Sequence, residues 1–291
     1  MVDRHRRQRL PACVRLSGWK LVPLWLAVAL LSMAAAATAG DDLAPFLGAH
    51  RAAQALAEQK KWAEAANAYG AFAAGQPQDA CAPLAWALQG ILLRRELNQP
   101  AQAREAFLRA AKAPATPFGQ EIRTLALGWA ARIQMEQLAA PLRRYWVDHV
   151  EYPEKLEALA ESKLVPPEAL VDPWGKPFVY STLNLSDLAG RKPKKAADLP
   201  RQGYTLRCAL IPGDSRQIGQ FLKETVEFPK RFELKGIGGV RPLVALITFE
   251  DKVKKTANVA EGEKAGSARL VKLTPQGAVL IEGGAVAVLS R

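Results

Sequence analysis

The chain has 291 residues, a formal net charge of +12, and 49% hydrophobic but only 7% aromatic side chains. Its length exceeds one average domain, so two or three modules are expected. The basic excess shows no stripe of Lys and Arg with interleaved aromatics, which argues against a nucleic-acid footprint.

Residues 1–39 read as an export signal. Arg4, Arg6, Arg7, Arg9, Arg15 and Lys20 form a basic start, Leu21 to Ala37 is apolar, and Ala37-Thr38-Ala39 offers a small-residue cleavage site before Gly40. Arg6-Arg7 hints at twin-arginine export, but its flanking residues fit the general secretory route better. The competing reading is an uncleaved inner-membrane anchor facing the periplasm, because a run of about 17 apolar residues is at the lower edge of a bilayer span. This segment carries six Lys/Arg and one Asp. Its removal leaves 34 basic against 27 acidic side chains, a net +7. Much of the remaining excess lies at Arg191–Lys195, which reads as a solvated basic loop. A periplasmic protein is expected, with membrane contact only if the signal stays attached.

Residues 43–117 read as helical, and residues 43–113 as four helices in two hairpins. KKWAEAANAYGAFAAGQP and NQPAQAREAFLRAAKAP align with Ala65 over Ala103, Tyr69 over Phe107 and Trp62 over Pro100. A small residue, an aromatic four later and a Pro about twelve on (Pro77, Pro114) resemble the second helix of a tetratricopeptide repeat. The spacing of 38 exceeds the usual period, and the first-helix Trp and Leu-Gly marks are missing. The resemblance implies a groove for a partner peptide, with Trp62, Tyr69 and Phe107 as its candidate residues. The same aromatics also suit an Ala-rich spacer in which all of them are core.

Two repeats leave an apolar face exposed unless something caps them. Residues 118–146 suit that role, since Phe118, Ile122, Leu125, Trp129 and Ile133 form one stripe. Pro141 then either kinks the helix or restarts it.

From Tyr152 to Tyr180 the chain reads YPEKLEALAESKLVPPEALVDPWGKPFVY. Pro153 suits the first turn of a short helix, and Leu156, Leu159 and Leu164 give it an apolar face. Asp172-Pro173 starts a turn, Gly175 supplies a positive φ where needed, and Trp174 folds back as an apolar lid. With LAAPLRRYWVDHVEYP before it, this stretch closely resembles the globular head of the major pseudopilin of type II secretion systems. The residues that carry the resemblance are Tyr145, Tyr152, Pro153, Leu156, Leu159, Asp172, Pro173, Trp174, Gly175, Pro177, Phe178 and Tyr180. It covers roughly residues 138–181. The chain departs from that family in lacking a prepilin-peptidase site ahead of the long helix, so it is not expected to enter a fibre as a standard subunit. The family also carries a calcium loop after this strand. Here Asp187, Asp198 and Asp214 are dispersed among Lys and Arg, a poor field for a hard dication, so no cofactor is expected and calcium is disfavoured.

From Phe232 the texture becomes β. FELKGIGG, PLVALITFE, KVKKTANVAEGE, ARLVKLTP, GAVLIEGG and AVAVLS read as six short strands, with Gln276-Gly277 and Gly283-Gly284 as hairpin tips. Their order resembles the periplasmic homology region of the type II secretion C component and the related pilus inner-membrane lipoprotein. Leu234, Gly236, Ala245, Leu246, Ile247, Gly262, Leu273, Val279, Leu280, Gly284, Val288 and Leu289 carry that likeness, with Glu263 where the family usually has Asp. A generic β-module is the alternative.

The expected fold is multidomain α+β. Tetratricopeptide-like hairpins span 43–117, a long helix with a pseudopilin-like head and small antiparallel sheet spans 118–231, and an all-β sandwich or partial barrel spans 232–291. The scattered His5, His50 and His149 have no metal-ligand spacing, and there is no phosphate loop, nucleophile elbow or zincin helix. An enzyme is not expected. Cys81 and Cys208 remain after the signal and fall in different modules, which makes no disulfide framework. Together the resemblances imply a non-enzymatic periplasmic scaffold of a type II secretion or type IV pilus-like system. Its partners would be pseudopilins, the inner-membrane platform and the secretin. A periplasmic tetratricopeptide-type peptide- or protein-binding adaptor is the alternative.

Overall fold

A computed structural model describes residues 42–184, 201–213, 217–240, 242–250 and 253–291. The fold is mixed α+β. Among the described residues seven helices precede the first strand, and three antiparallel sheets of two, three and four strands follow. The helices are α1 (Ala44–Glu58), α2 (Trp62–Gly75), α3 (Ala82–Arg95), α4 (Pro100–Ala110), α5 (Pro117–Gln137), α6 (Ala139–His149) and the short α7 (Ala158–Glu161). Four of them open with Pro in the first turn, where a missing N–H costs nothing. At α5 the Thr116 hydroxyl also accepts the Gly119 N–H at 3.0 Å.

The two hairpins pack through small residues. Ala65, Ala66, Ala85, Ala87, Ala103 and Ala110 are all essentially inaccessible, so helices approach closely and the large rings fill what remains. Gly90 shows how close the approach is. A Cβ there would lie 2.9 Å from the Phe107 ring. α5 covers the open side of the second hairpin: Phe118, Ile122, Leu125, Trp129 and Ile133 are all buried. The Phe107 and Trp129 rings stack at 5.1 Å, and Arg94 of α3 grips both carboxylate oxygens of Glu136. Pro141 restarts the helix rather than bending it. The break falls at Leu138, which ends α5 and begins α6, and Pro141 occupies the first turn of the new helix.

The six expected strands are β3 (Phe232–Gly238), β4 (Val244–Glu250), β5 (Lys254–Ala260), β7 (Ala268–Thr274), β8 (Gly277–Glu282) and β9 (Ala285–Ser290); a two-residue β6 (Lys264–Ala265) joins them. β3-β4-β5 form one sheet and β6-β7-β8-β9 the other, each a meander of adjacent antiparallel strands. The tip before β8 is Pro275-Gln276, with Gly277 already paired to Thr274 and Ser290. Gly283-Gly284 is the other tip, and Gly283 takes φ +62°.

The four-stranded sheet is buried on both faces, which is why its strands read as nearly continuous apolar runs. Ala278 and Leu280, with Ala285 and Ala287, face the three-stranded sheet and share a core with Phe232, Ala245, Ile247 and Phe249. Their alternates Val279, Ile281 and Val286 face the helices and belong to the helical core. A bulge between Leu270 and Lys272 shifts the phase of β7. It puts Leu270 and Leu273 on the inter-sheet side and Val271 on the helical side. The Trp129 indole donates to the Gly284 carbonyl at 2.7 Å, joining α5 to the β8–β9 turn. Residues 41–291 thus form one compact unit whose helical and β parts share a core.

A third core lies at the end of α5 and along α6. Ala131, Met135, Leu138 and Leu142 meet Leu156, Leu159, Phe178, Leu206 and Cys208 there. The hairpin of β1 (Val179–Asn184) and β2 (Arg201–Arg207) closes this core. Residues 185–200 between the two strands, which hold Asp187, Asp198 and the basic run, lie outside the described residues, as do Asp214 and the segment 1–39 expected to be an export signal. Among the described residues no helix is long and apolar enough to cross a membrane.

Candidate functional site

The residues singled out between Tyr152 and Tyr180 meet on that third core. Asp172 is 4% exposed. Its Oδ1 accepts the N–H groups of Trp174 and Lys176, both at 2.9 Å, and its Oδ2 accepts the Cys208 thiol at 3.2 Å. The Asp172 carbonyl accepts the Gly175 N–H at 2.9 Å, and its own N–H reaches the Lys176 carbonyl at 2.7 Å. Val171 bridges to Pro177 across the turn. Asp, Pro and Gly at the first, second and fourth positions suit a type I turn, and Gly175 follows it with φ +80°, the left-handed step of a three-residue hairpin loop. Trp174 is half-buried against the core, Phe178 is buried, and Pro173 is partly covered. Burial raises the pKa of the Cys208 thiol, and its hydrogen bond to Asp172 adds to the effect.

Tyr152 and Pro153 do not begin a helix. α7 starts five residues later, and hydrogen-bonded turns begin only at Lys155. The Tyr152 N–H donates to the Arg201 carbonyl at 2.9 Å, and the Arg201 guanidinium returns a bond to the Tyr152 carbonyl at 2.8 Å and one to Glu151 at 2.7 Å. The Pro153 carbonyl, which would have been the first acceptor of a helix, instead accepts the Tyr180 hydroxyl at 2.9 Å. One backbone bond and the Arg201 guanidinium hold the residue before Pro out of a helix, in line with its bias away from helical backbone. Tyr152 meets Tyr204 edge-on at 4.9 Å and Tyr180 stacks on Tyr204 at 6.1 Å. Burial, reinforced by Tyr204, pushes the Tyr180 hydroxyl pKa upward. The whole arrangement is a saturated hydrogen-bond knot. Its chemistry is positional: it fixes the β1–β2 hairpin against α6.

The three groove residues separate. Trp62 and Tyr69 line a cavity of about 160 Å³ between α1, α2, α3 and β9, while Phe107 is fully buried under Trp129 in the helical core. His50 stands beside Tyr69 in the cavity wall. Its Nδ1 lies 2.7 Å from the Tyr69 hydroxyl, it stacks on Phe46 at 5.7 Å, and its buried Nε2 has no hydrogen-bond partner. Burial lowers the His50 pKa to about 4, so the ring is neutral at physiological pH; burial also raises the pKa of Tyr69, against an opposing pull from Arg95. The cavity is otherwise mostly apolar, walled by Leu88, Ile91, Val286 and Val288.

Sequence reasoning missed three residues that organise these sites. Gln134 on α5 donates Nε2 to the carbonyls of Ala169 (2.9 Å) and Val171 (2.7 Å), anchoring the segment before Asp172 to the helix. His50 was noted only as one of three scattered histidines, and Arg132 went unremarked. A lone polar residue among apolar helix neighbours was the only available signal. Cys81 and Cys208 are buried in different cores and are not joined by a disulfide. No protein-family model, curated protein or solved structure matches the chain.

Proposed function

We propose that this chain is a non-enzymatic periplasmic scaffold of a type II secretion or type IV pilus-like system, working through protein–protein contacts. One observation carries the reading. The residues of the pseudopilin-like pattern, scattered from Tyr145 to Tyr180, converge on one small core at the end of a long helix and interlock through Asp172, Tyr180 and Arg201. On this reading the tetratricopeptide-like hairpins hold one partner, the pseudopilin-like head meets the fibre or the inner-membrane platform, and the C-component-like strands meet the secretin. Pairing of a partner strand at a sheet edge suits that last contact. The warrant is resemblance supported by geometry, and residue chemistry adds no reaction to it.

The test is a mild crosslink in intact cells, then purification through a C-terminal tag and mass spectrometry. Enrichment of pseudopilins, platform proteins or secretin is expected, and Gly175→Val, which strains the head turn, should lose the head's partner selectively. Recovery of unrelated soluble proteins alone would sink the reading. Truncation at Arg231 is a poor control, because it strips Val271, Val279, Ile281 and Val286 from the helical core.

The cavity beside Trp62 and Tyr69 favours a second reading, an adaptor that binds peptides or proteins through the hairpins. It predicts that Trp62→Ala abolishes partner recovery while Gly175→Val leaves it intact.

A further inference from the structure

Arg132 lies in the C-terminal half of α5 and is 7% exposed, yet its Nη1 has no hydrogen-bond partner among the described residues. The guanidinium lies over the Phe221 ring, 4.0 Å from its centroid. That contact covers one face of the group and leaves the Nη1 donor unengaged. Burial lowers its pKa only to about 10, with Cys208 and Glu224 opposing the fall, so it remains a cation at neutral pH. A buried cation with an open donor is costly; Glu224 offsets the charge without an ion pair, and a counter-ion bonded to the guanidinium removes the remaining cost.

The same guanidinium borders a cavity of about 520 Å³ between α5, the segment after β2, the β8–β9 turn and α8 (Ile218–Glu227). That is the size of pockets that take small organic ligands, about 300–1,000 Å³. Met135, Ile218, Phe221, Phe228 and Ala285 give it apolar walls. Among the described residues the other charged groups around it limit what charge it can accept. Arg231 is paired with Glu282 at 3.6 Å, while Glu224 accepts from Gln220 at 2.9 Å and adds a negative charge near the cavity. One net positive group against one acidic neighbour disfavours a dianion such as phosphate. A planar monoanion matches the guanidinium fork.

We propose that this cavity binds a carboxylate carried on a short apolar body, with the Arg132 guanidinium as its counter-ion. The ligand is either a free organic acid or the C-terminal carboxylate of a peptide with an apolar last residue, and both present the same group to Arg132. The site adjoins the hairpin cavity at Thr225 and the head core at Met135, but its test reads ligand binding rather than partner recovery, so it stands or falls independently of the scaffold reading.

Calorimetric titration of the full chain with phenylbutyrate and with its uncharged amide measures the role of the charge. A pentapeptide ending in Phe, with free or amidated C-terminus, separates the two sources. At least one carboxylate should bind about tenfold or more tightly than its amide. Arg132→Gln should erase that preference, and Ile218→Trp, which narrows the cavity, should weaken acid and amide together. Tighter binding of the free peptide end assigns the site to chain termini; tighter binding of phenylbutyrate assigns it to small acids. Should Arg132→Gln fail to fold, Arg132→Lys, which keeps the charge without the fork, must still reduce the preference. No binding of either acid, equal affinity for acid and amide, or a preference that survives these substitutions overturns the proposal.

Discussion

Acidification should unfold this protein through His50. Burial holds the ring's pKa at about 4 against an ordinary 6.5. In the interval between those values the unfolded chain binds a proton at this site and the folded chain does not. The stabilisation is therefore complete above about pH 6.5 and is lost as pH falls toward about 4. Between about pH 7 and about pH 5 the loss from this one residue comes to about 2 kcal/mol. Urea unfolding followed by far-ultraviolet circular dichroism at both pH values gives the wild-type loss. His50→Asn supplies the reference, because its amide can still bond to the Tyr69 hydroxyl but takes up no proton. The variant should be less stable at neutral pH, having lost the stack on Phe46, yet its loss on acidification should be smaller than the wild type's by about 2 kcal/mol. His5 and His149 are common to both proteins and cancel. Equal losses in the two proteins would refute the assignment of this pH dependence to His50.

Asp172→Ala should cost about 2–3 kcal/mol in urea unfolding, because two backbone N–H groups and the Cys208 thiol lose their acceptor, whereas Asp172→Asn keeps one acceptor oxygen and should cost about half as much. Gly90→Ala should lower the melting temperature through about 1–3 kcal/mol of overpacking, since its Cβ would meet a Phe107 ring already pinned under Trp129. Gly48→Ala is the counterpart: it sits exposed in α1 with nothing within 4 Å, and it should stabilise by about 0.5–1 kcal/mol in the same assay.

Much of the local structure was legible because periodicity is a local signal. The four hairpin helices fall within the Ala-rich stretch 43–113; α2 and α4 begin at Trp62 and Pro100, the two positions that the internal alignment superposes. The six C-terminal strands fall where alternation put them, and the Asp172–Gly175 turn forms as its residue types require. α8 is absent from the sequence expectations although Ile218, Phe221, Leu222 and Thr225 carry a helical stripe; ten residues with one short apolar face give a weak periodic signal.

What the sequence determined by itself was therefore the identity of segments, since apolar spacing, turn residues and Pro positions act within a few residues of one another. What only the tertiary structure decided was which surface each segment meets. Val279 and Leu280 are equally apolar neighbours, yet one faces the helices and the other the second sheet. Phe107 and Tyr69 occupy equivalent places in two similar helices, yet one is sealed under Trp129 and the other lines a cavity beside His50. Pro153 has the residue type of a helix start, yet Arg201, about fifty positions away, ties up the backbone of its neighbour Tyr152. Nothing in the sequence marks Arg132, yet Phe221, arriving from a distant helix, covers it. In each case the deciding partner is remote in sequence, and the free energy of burial depends on the surface that partner brings rather than on the residue's own neighbours.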